Sequence, residues 1–157
     1  DHFPPGATPF KIAMKRLILS VLLIAAHGAA PFYTGTWKIE KAVVAPWWTE
    51  KQIPDPVESK ELVGKTLSIR ANNITGPGLL NCPGPRIKVH QAPANGLFQG
   101  MLENLPNQPA ALTSLGFQGK QWKTVTTGCE NELDFHFVND RTLTFALNNY
   151  IYFAAKQ

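Results

Sequence analysis

The sequence predicts a mainly β fold: an antiparallel meander closing into a barrel or compact sandwich, with one or two short helices. Three observations predict it. Apolar and polar residues alternate with period two in several short runs, Gly, Pro and Asn clusters separate those runs at short intervals, and no apolar pattern of helical period extends far.

Gly35 to Glu40 opens the alternation, with Trp37 and Ile39 on one face and Lys38 and Glu40 on the other, and Ala42 to Ala45 continues the strand. Residues 46–56 (PWWTEKQIPDP) form a Pro-rich connection containing Trp47 and Trp48. Val57 to Val63 is a short helix ended by Gly64, a usual left-handed terminator. Lys65 to Thr75 is the second strand. Gly76-Pro77-Gly78 and Pro83-Gly84-Pro85 punctuate the chain around Cys82. Arg86 to His90 alternates again, Pro93 to Gly96 turns, and Leu97 to Leu102 reads as a strand. Asn107 caps a second helix with Pro109 in its first turn and Gly116 at its end; Ala111, Leu112 and Leu115 would face inward. Trp122 to Thr127 leads to Cys129. Leu133, Phe135 and Phe137 alternate with Asp134 and His136, and Asn139 to Arg141 turns the chain. Leu143, Phe145 and Leu147 return, and Tyr150 to Ala154 closes a sheet of seven or eight strands.

The N-terminal part reads differently. Met14, Lys15 and Arg16 precede an apolar run from Leu17 to Ala26, and small residues follow it, the order of a secretory signal peptide cut near Gly28 to Ala30. That run is about half of what a membrane-crossing helix needs. A buried N-terminal helix is the competing reading. Residues 1–13 look like an upstream extension, 14–29 the signal peptide, and 30–157 a single β-rich domain. Localisation is therefore expected to be periplasmic or secreted, with no stable membrane insertion after cleavage.

The whole sequence has 15 basic and 11 acidic residues; setting aside Lys11, Lys15, Arg16 and Asp1 leaves 12 and 10, a net +2. Without clustered Lys or Arg, that charge lacks the electrostatic footprint of nucleic-acid binding. Cys82 and Cys129 both lie in the predicted domain, and an even pair in an exported chain most simply forms a disulfide. Two metal thiolates compete with that reading, but there is no CxxC, and only His90 and His136 remain as partners. Neither a metal nor a cofactor is expected.

Gly35-Thr36-Trp37 at the start of the first strand resembles the lipocalin-like group of small exported barrels, in which the Trp packs across the closed end. The resemblance implies a lipocalin-like antiparallel barrel holding a small ligand. The Pro-rich connection after the first strand and the helix before Trp122 depart from the usual lipocalin layout. With GTW near its start and FALNNYIY near its end, the predicted domain is also similar to small proteins exported by Gram-negative bacteria.

Trp37, Trp47, Trp48, Phe98, Phe135, Phe145 and Tyr152 are the candidate ligand-binding side chains. Trp37 is also expected in the core. Trp47 and Trp48, adjacent on an extended chain, point to opposite sides, making either a lid or an anchor for the long loop. Tyr150 and Tyr152 share one face. Glu130, Glu132, Asp134 and His136 fall on one side of a strand; carboxylates beside an imidazole suit cation binding or acid–base chemistry, whereas alternation alone predicts a solvated face. Arg86, Lys88 and His90 form a basic stripe. Asn73-Ile74-Thr75 matches a glycosylation acceptor, accidental in a bacterial periplasm. No GxSxG, HExxH, Walker or GxGxxG pattern occurs.

The leading expectation is a non-enzymatic periplasmic binding protein for a small apolar or amphipathic ligand. An interaction module with a protein partner, such as a hydrolase inhibitor, comes second. A hydrolase or metal-dependent enzyme using His136 with Asp134 or Glu132 comes third.

Overall fold

Most alternating runs become strands with one face turned inward; the run at residues 86–90 yields no such face, since Val89 is 49 % exposed and only Ala92 of its strand is buried. The computed structural model describes residues 29–157; the segment expected to be an upstream extension and the charged and apolar parts of the expected signal peptide lie outside the described residues. Nine strands form one sheet: β1 (Gly35–Val44), β2 (Thr66–Arg70), β3 (Asn73–Thr75), β4 (Cys82–Pro83), β5 (Lys88–Pro93), β6 (Gln121–Thr126), β7 (Asp134–Asn139), β8 (Thr142–Leu147) and β9 (Tyr150–Lys156). Their order is β4-β3-β2-β1-β9-β8-β7-β6-β5, antiparallel throughout. The fold is thus mainly β, a curled half-barrel. Two helices, α1 (Val57–Leu62) and α2 (Gln108–Ser114), and 3-10 segments at Gly78–Leu80 and Ala94–Gly100 complete it.

β1 and β9 pair in the middle, Trp37 opposite Lys156 and Val44 opposite Tyr150, with a register shift between Ile39 and Lys41. The shift lets β1 leave β2 after Lys38 and continue along β9 alone. At the opposite extremes, β4 and β5 are edge strands. Cys82 on β4 and Cys129 just after β6 join through a disulfide of 2.02 Å that ties these two sides across the open seam of the curl. The Arg86 N–H donates to the Thr127 carbonyl nearby, at 2.7 Å.

The sheet buries side chains on both faces. Its inner face packs Trp37, Ile39, Leu67, Ile69, Val125, Phe135, Phe137, Leu143, Phe145 and Tyr152 into one cluster. Tyr150 and Tyr152 both join it, as expected. The outer face of β5 to β9 packs Trp122, Ile151 and Phe153 beneath Leu97, Phe98, Leu102, Leu115 and Phe117. That cover is the long connection from β5 to β6.

Local signals set the helices. Gly64 follows α1 at φ +87, a region that costs an L side chain free energy but not glycine. Asn107 caps α2, its Oδ1 accepting from Ala110 N–H at 3.3 Å, with Pro109 in the first turn. Leu115 is buried as expected, whereas Ala111 and Leu112 are only half-buried. Asn148 and Asn149, both left-handed, make the two-residue turn between β8 and β9.

Three expectations need correction. Lys65 to Thr75 is not one strand but the hairpin β2–β3, turned at Ala71-Asn72. Leu97 to Leu102 is not a strand: Phe98 and Gln99 take φ of 51° and 53°, because the chain must bend sharply to push Phe98 into the outer cluster. The polar side of β7 is not a solvated face, since this same segment covers it and leaves His136 0 % exposed.

Candidate functional site

The candidate ligand-binding side chains divide among three places. Trp37, Phe135, Phe145 and Tyr152 lie in the inner cluster, each fully buried. Phe145 stacks on Tyr152 at 5.0 Å between ring centres and meets Phe135 edge-on at 5.9 Å. Phe98 and Trp47 belong to the outer cluster, 5.8 Å apart. Trp47 lies in a turn closed by the Trp48 N–H donating to the Ala45 carbonyl at 3.0 Å, not on the expected extended chain, and Trp48, half-buried beside α1, donates its indole N–H to the Gln52 carbonyl at 2.8 Å. The sheet therefore separates the first four from Phe98 and Trp47.

Trp37 caps one end of the curl. Its ring meets Phe137 edge-on at 5.6 Å, its indole N–H donates to the Tyr33 carbonyl at 3.1 Å, and the Lys156 ammonium sits 5.2 Å from the ring centre.

The other end is covered by α1 and Gly78–Leu80, which send Leu62 and Leu80 into the inner cluster. Tyr150 holds this cover by donating its hydroxyl to the Pro54 carbonyl at 2.8 Å, and Asn148 donates to the Glu58 carboxylate. Behind it, the Tyr152 hydroxyl is buried with no hydrogen-bond partner among the described residues. Burial raises its pKa to about 12, with Glu58 and Tyr150 adding smaller pushes.

Outside the cover, three depressions that share lining residues trace a shallow groove. The first, about 500 Å³, lies between Trp48, Val57 and Asn149; it meets the second, about 520 Å³, at Glu58 and Glu61. The second meets the third, about 530 Å³, at Gly78 and Leu79, and the Cys82–Cys129 disulfide lines the far end with Glu130 and Asn131. Leu79 is 57 % exposed and Val57 likewise, and Ile53 nearby is 72 % exposed. Asn131 donates to the Leu79 carbonyl and so fixes the groove's middle across the seam. Exposed apolar side chains among Asp55, Glu58, Glu61 and Glu130, with Lys60 and Lys65 at one wall, suit an elongated amphipathic partner.

The residues of the acid–base reading are arranged otherwise. β7 begins only at Asp134; Glu130 and Glu132 precede it in a turn, Glu132 at φ +51 with its side chain exposed. His136 Nε2 accepts the Phe98 N–H at 2.9 Å, so the imidazole proton sits on Nδ1, which reaches Thr124 Oγ1 at 3.0 Å. Both ring nitrogens are thereby occupied. Burial, with His90 adding to it, drives the His136 pKa down to about 3. Asp134 is half-buried and shifted up by that burial; His90 pulls it back and Glu132 pushes it further. Among the described residues no three His, Cys, Asp or Glu side chains gather in a metal-ligating group. No described helix is long and apolar enough to cross a membrane.

Sequence reasoning missed the groove and the bond from Phe98 to His136. Leu79 sits in a Gly- and Pro-punctuated stretch with no periodicity, and nothing local tells that residues 94–100 fold back over β7. No protein-family model, curated protein or solved structure matches the chain.

Proposed function

We infer that this protein is an exported, non-enzymatic binding module that holds a protein partner along the groove outside α1. The observation that carries the reading is the run of exposed apolar side chains, Ile53, Val57 and Leu79, beside a groove that spans that end of the curl. Trp48 stands at one extremity, and Trp is enriched where binding energy concentrates. The disulfide and the leader-like sequence before Ala30 support export to the periplasm or beyond.

A second reading, a carrier of a small amphipathic ligand within the curl, is favoured by one feature: the buried Tyr152 hydroxyl, without a partner among the described residues, which would donate to a ligand oxygen. Native mass spectrometry of the chain purified from its export compartment separates the two. A protein-sized adduct present in the wild type and lost in Leu79→Asp supports the groove. An adduct of small-molecule mass lost in Tyr152→Phe supports the interior site. A bare chain under all conditions sinks both.

A further inference from the structure

We propose that His136 is an acid-released latch holding the cover of the outer face, with Phe98 as its catch. The geometry carries it. Phe98 and Gln99 are consecutive non-glycine residues in the left-handed region, at φ of 51° and 53°. Such a pair persists only where surrounding contacts hold it. Two hydrogen bonds do so: Phe98 N–H to His136 Nε2, and Gln99 Nε2 to the Glu132 carbonyl at 3.0 Å. The Phe98 ring meanwhile rests edge-on against the imidazole, 4.8 Å from its centre, and touches Trp47 and Phe117.

Nε2 can accept this bond only while unprotonated. A second imidazole proton would set an N–H against the Phe98 N–H, inside an apolar cluster. The neighbourhood offers little to counter that charge. Across β6 the row of opposed residues runs His90, Thr124, His136, Thr144, so the nearest titratable group in it is another histidine. β8 carries no titratable residue, and Lys123 on β6 is engaged by Asp140. The covering segment, residues 94–120, holds only Glu103 and Lys120. Asp134, two residues along, is the one carboxylate on β7 itself, half-buried and acted on by His90 and by Glu132, the residue whose carbonyl holds Gln99. With the segment lifted, the imidazole meets water and regains its ordinary basicity. Acid therefore favours the lifted form, in which Phe98, Trp47 and Phe117 lose their shared packing.

The test is hydrogen exchange at the Phe98 to Met101 amides of the full chain, corrected for the pH dependence of intrinsic exchange. A single proton taken up on opening raises the opening constant roughly tenfold per pH unit below the usual imidazole range, or about a hundredfold from pH 7.5 to 4.5. The expected result is that rise in the wild type and its absence in His136→Gln, whose side-chain oxygen accepts the same bond without titrating. Equal pH dependence in the two proteins, or unchanged protection in the wild type, overturns the proposal. Should the variant fail to fold, imidazole ¹⁵N shifts of the wild type decide. A neutral Nδ1–H tautomer of His136 at pH 5 is expected; titration of His136 near pH 6.5 with Phe98 still protected overturns the latch.

Discussion

The two faces of the sheet bury aromatic side chains in similar ways but are closed by different means. The inner face is closed by the sheet's own curvature, by a covalent tie at the seam, and by apolar plugs at α1 and Gly78–Leu80. The outer face is closed by a connection of irregular backbone, packed on an apolar cluster and fastened to β7 by the bond from Phe98 to the His136 imidazole. Burial of hydrocarbon is indifferent to pH, whereas a hydrogen bond to an unprotonated ring nitrogen is not. One molecule therefore carries a closure that resists changes of solution and another that answers to them.

The largest effect expected to sharpen this contrast is on the inner face. Trp37→Ala removes a fully buried ring and should lower the free energy of unfolding by about 3 to 5 kcal/mol, read by urea denaturation. Reducing the Cys82–Cys129 bridge, which closes a separation of 47 residues, should cost up to about 4 kcal/mol and show no pH dependence between 4.5 and 7 in the protein's residual stability difference. A strong dependence would mean that the seam and the outer cover are coupled.

The outer face gives the third prediction. His136 has its pKa lowered on folding, from 6.5 to about 3. Its contribution is fully present above pH 6.5 and is lost as pH falls toward 3, by roughly 1.4 kcal/mol per pH unit in that window. Denaturation midpoints of the wild type should fall accordingly, and those of His136→Gln should fall less. The smallest effect concerns α2, the helical part of the cover. Asn107→Ala removes its N-cap and should cost about 1 kcal/mol, seen as a small drop in melting temperature.

What could be read from the chain beforehand follows from distance along it. Strand hairpins such as β7–β8 and β8–β9 depend on alternation and turn residues within a few positions, and both were legible. So were Trp37 in the core and the cysteine pair. The strand expected at Leu97 to Leu102 failed because its apolar residues serve a face presented by β7, far along the sequence. His136 shows the same limit: period two places it on the outer face, but only tertiary structure decides whether that face is wet. Apart from Trp37, the candidate aromatic residues were read as ligand-binding side chains rather than as core, and their division between two faces depends on the sheet order, which alternation does not encode. Leu79 and the groove had no local signature at all.

The central pairing of β1 with β9 bears on how the chain is made. A ribosome or an export channel delivers residues in order, so β1 emerges early and Tyr150–Lys156 emerges after every other described strand. Until then β1 has only β2 beside it, and its far half from Lys41 to Val44 has no neighbour at all. The nascent chain must hold that bare edge open through the synthesis of more than a hundred residues, a long exposure to mispairing. Completion comes from β9 inserting between two segments already made, and a chain stopped short of Tyr150 would lack the piece that joins its two halves.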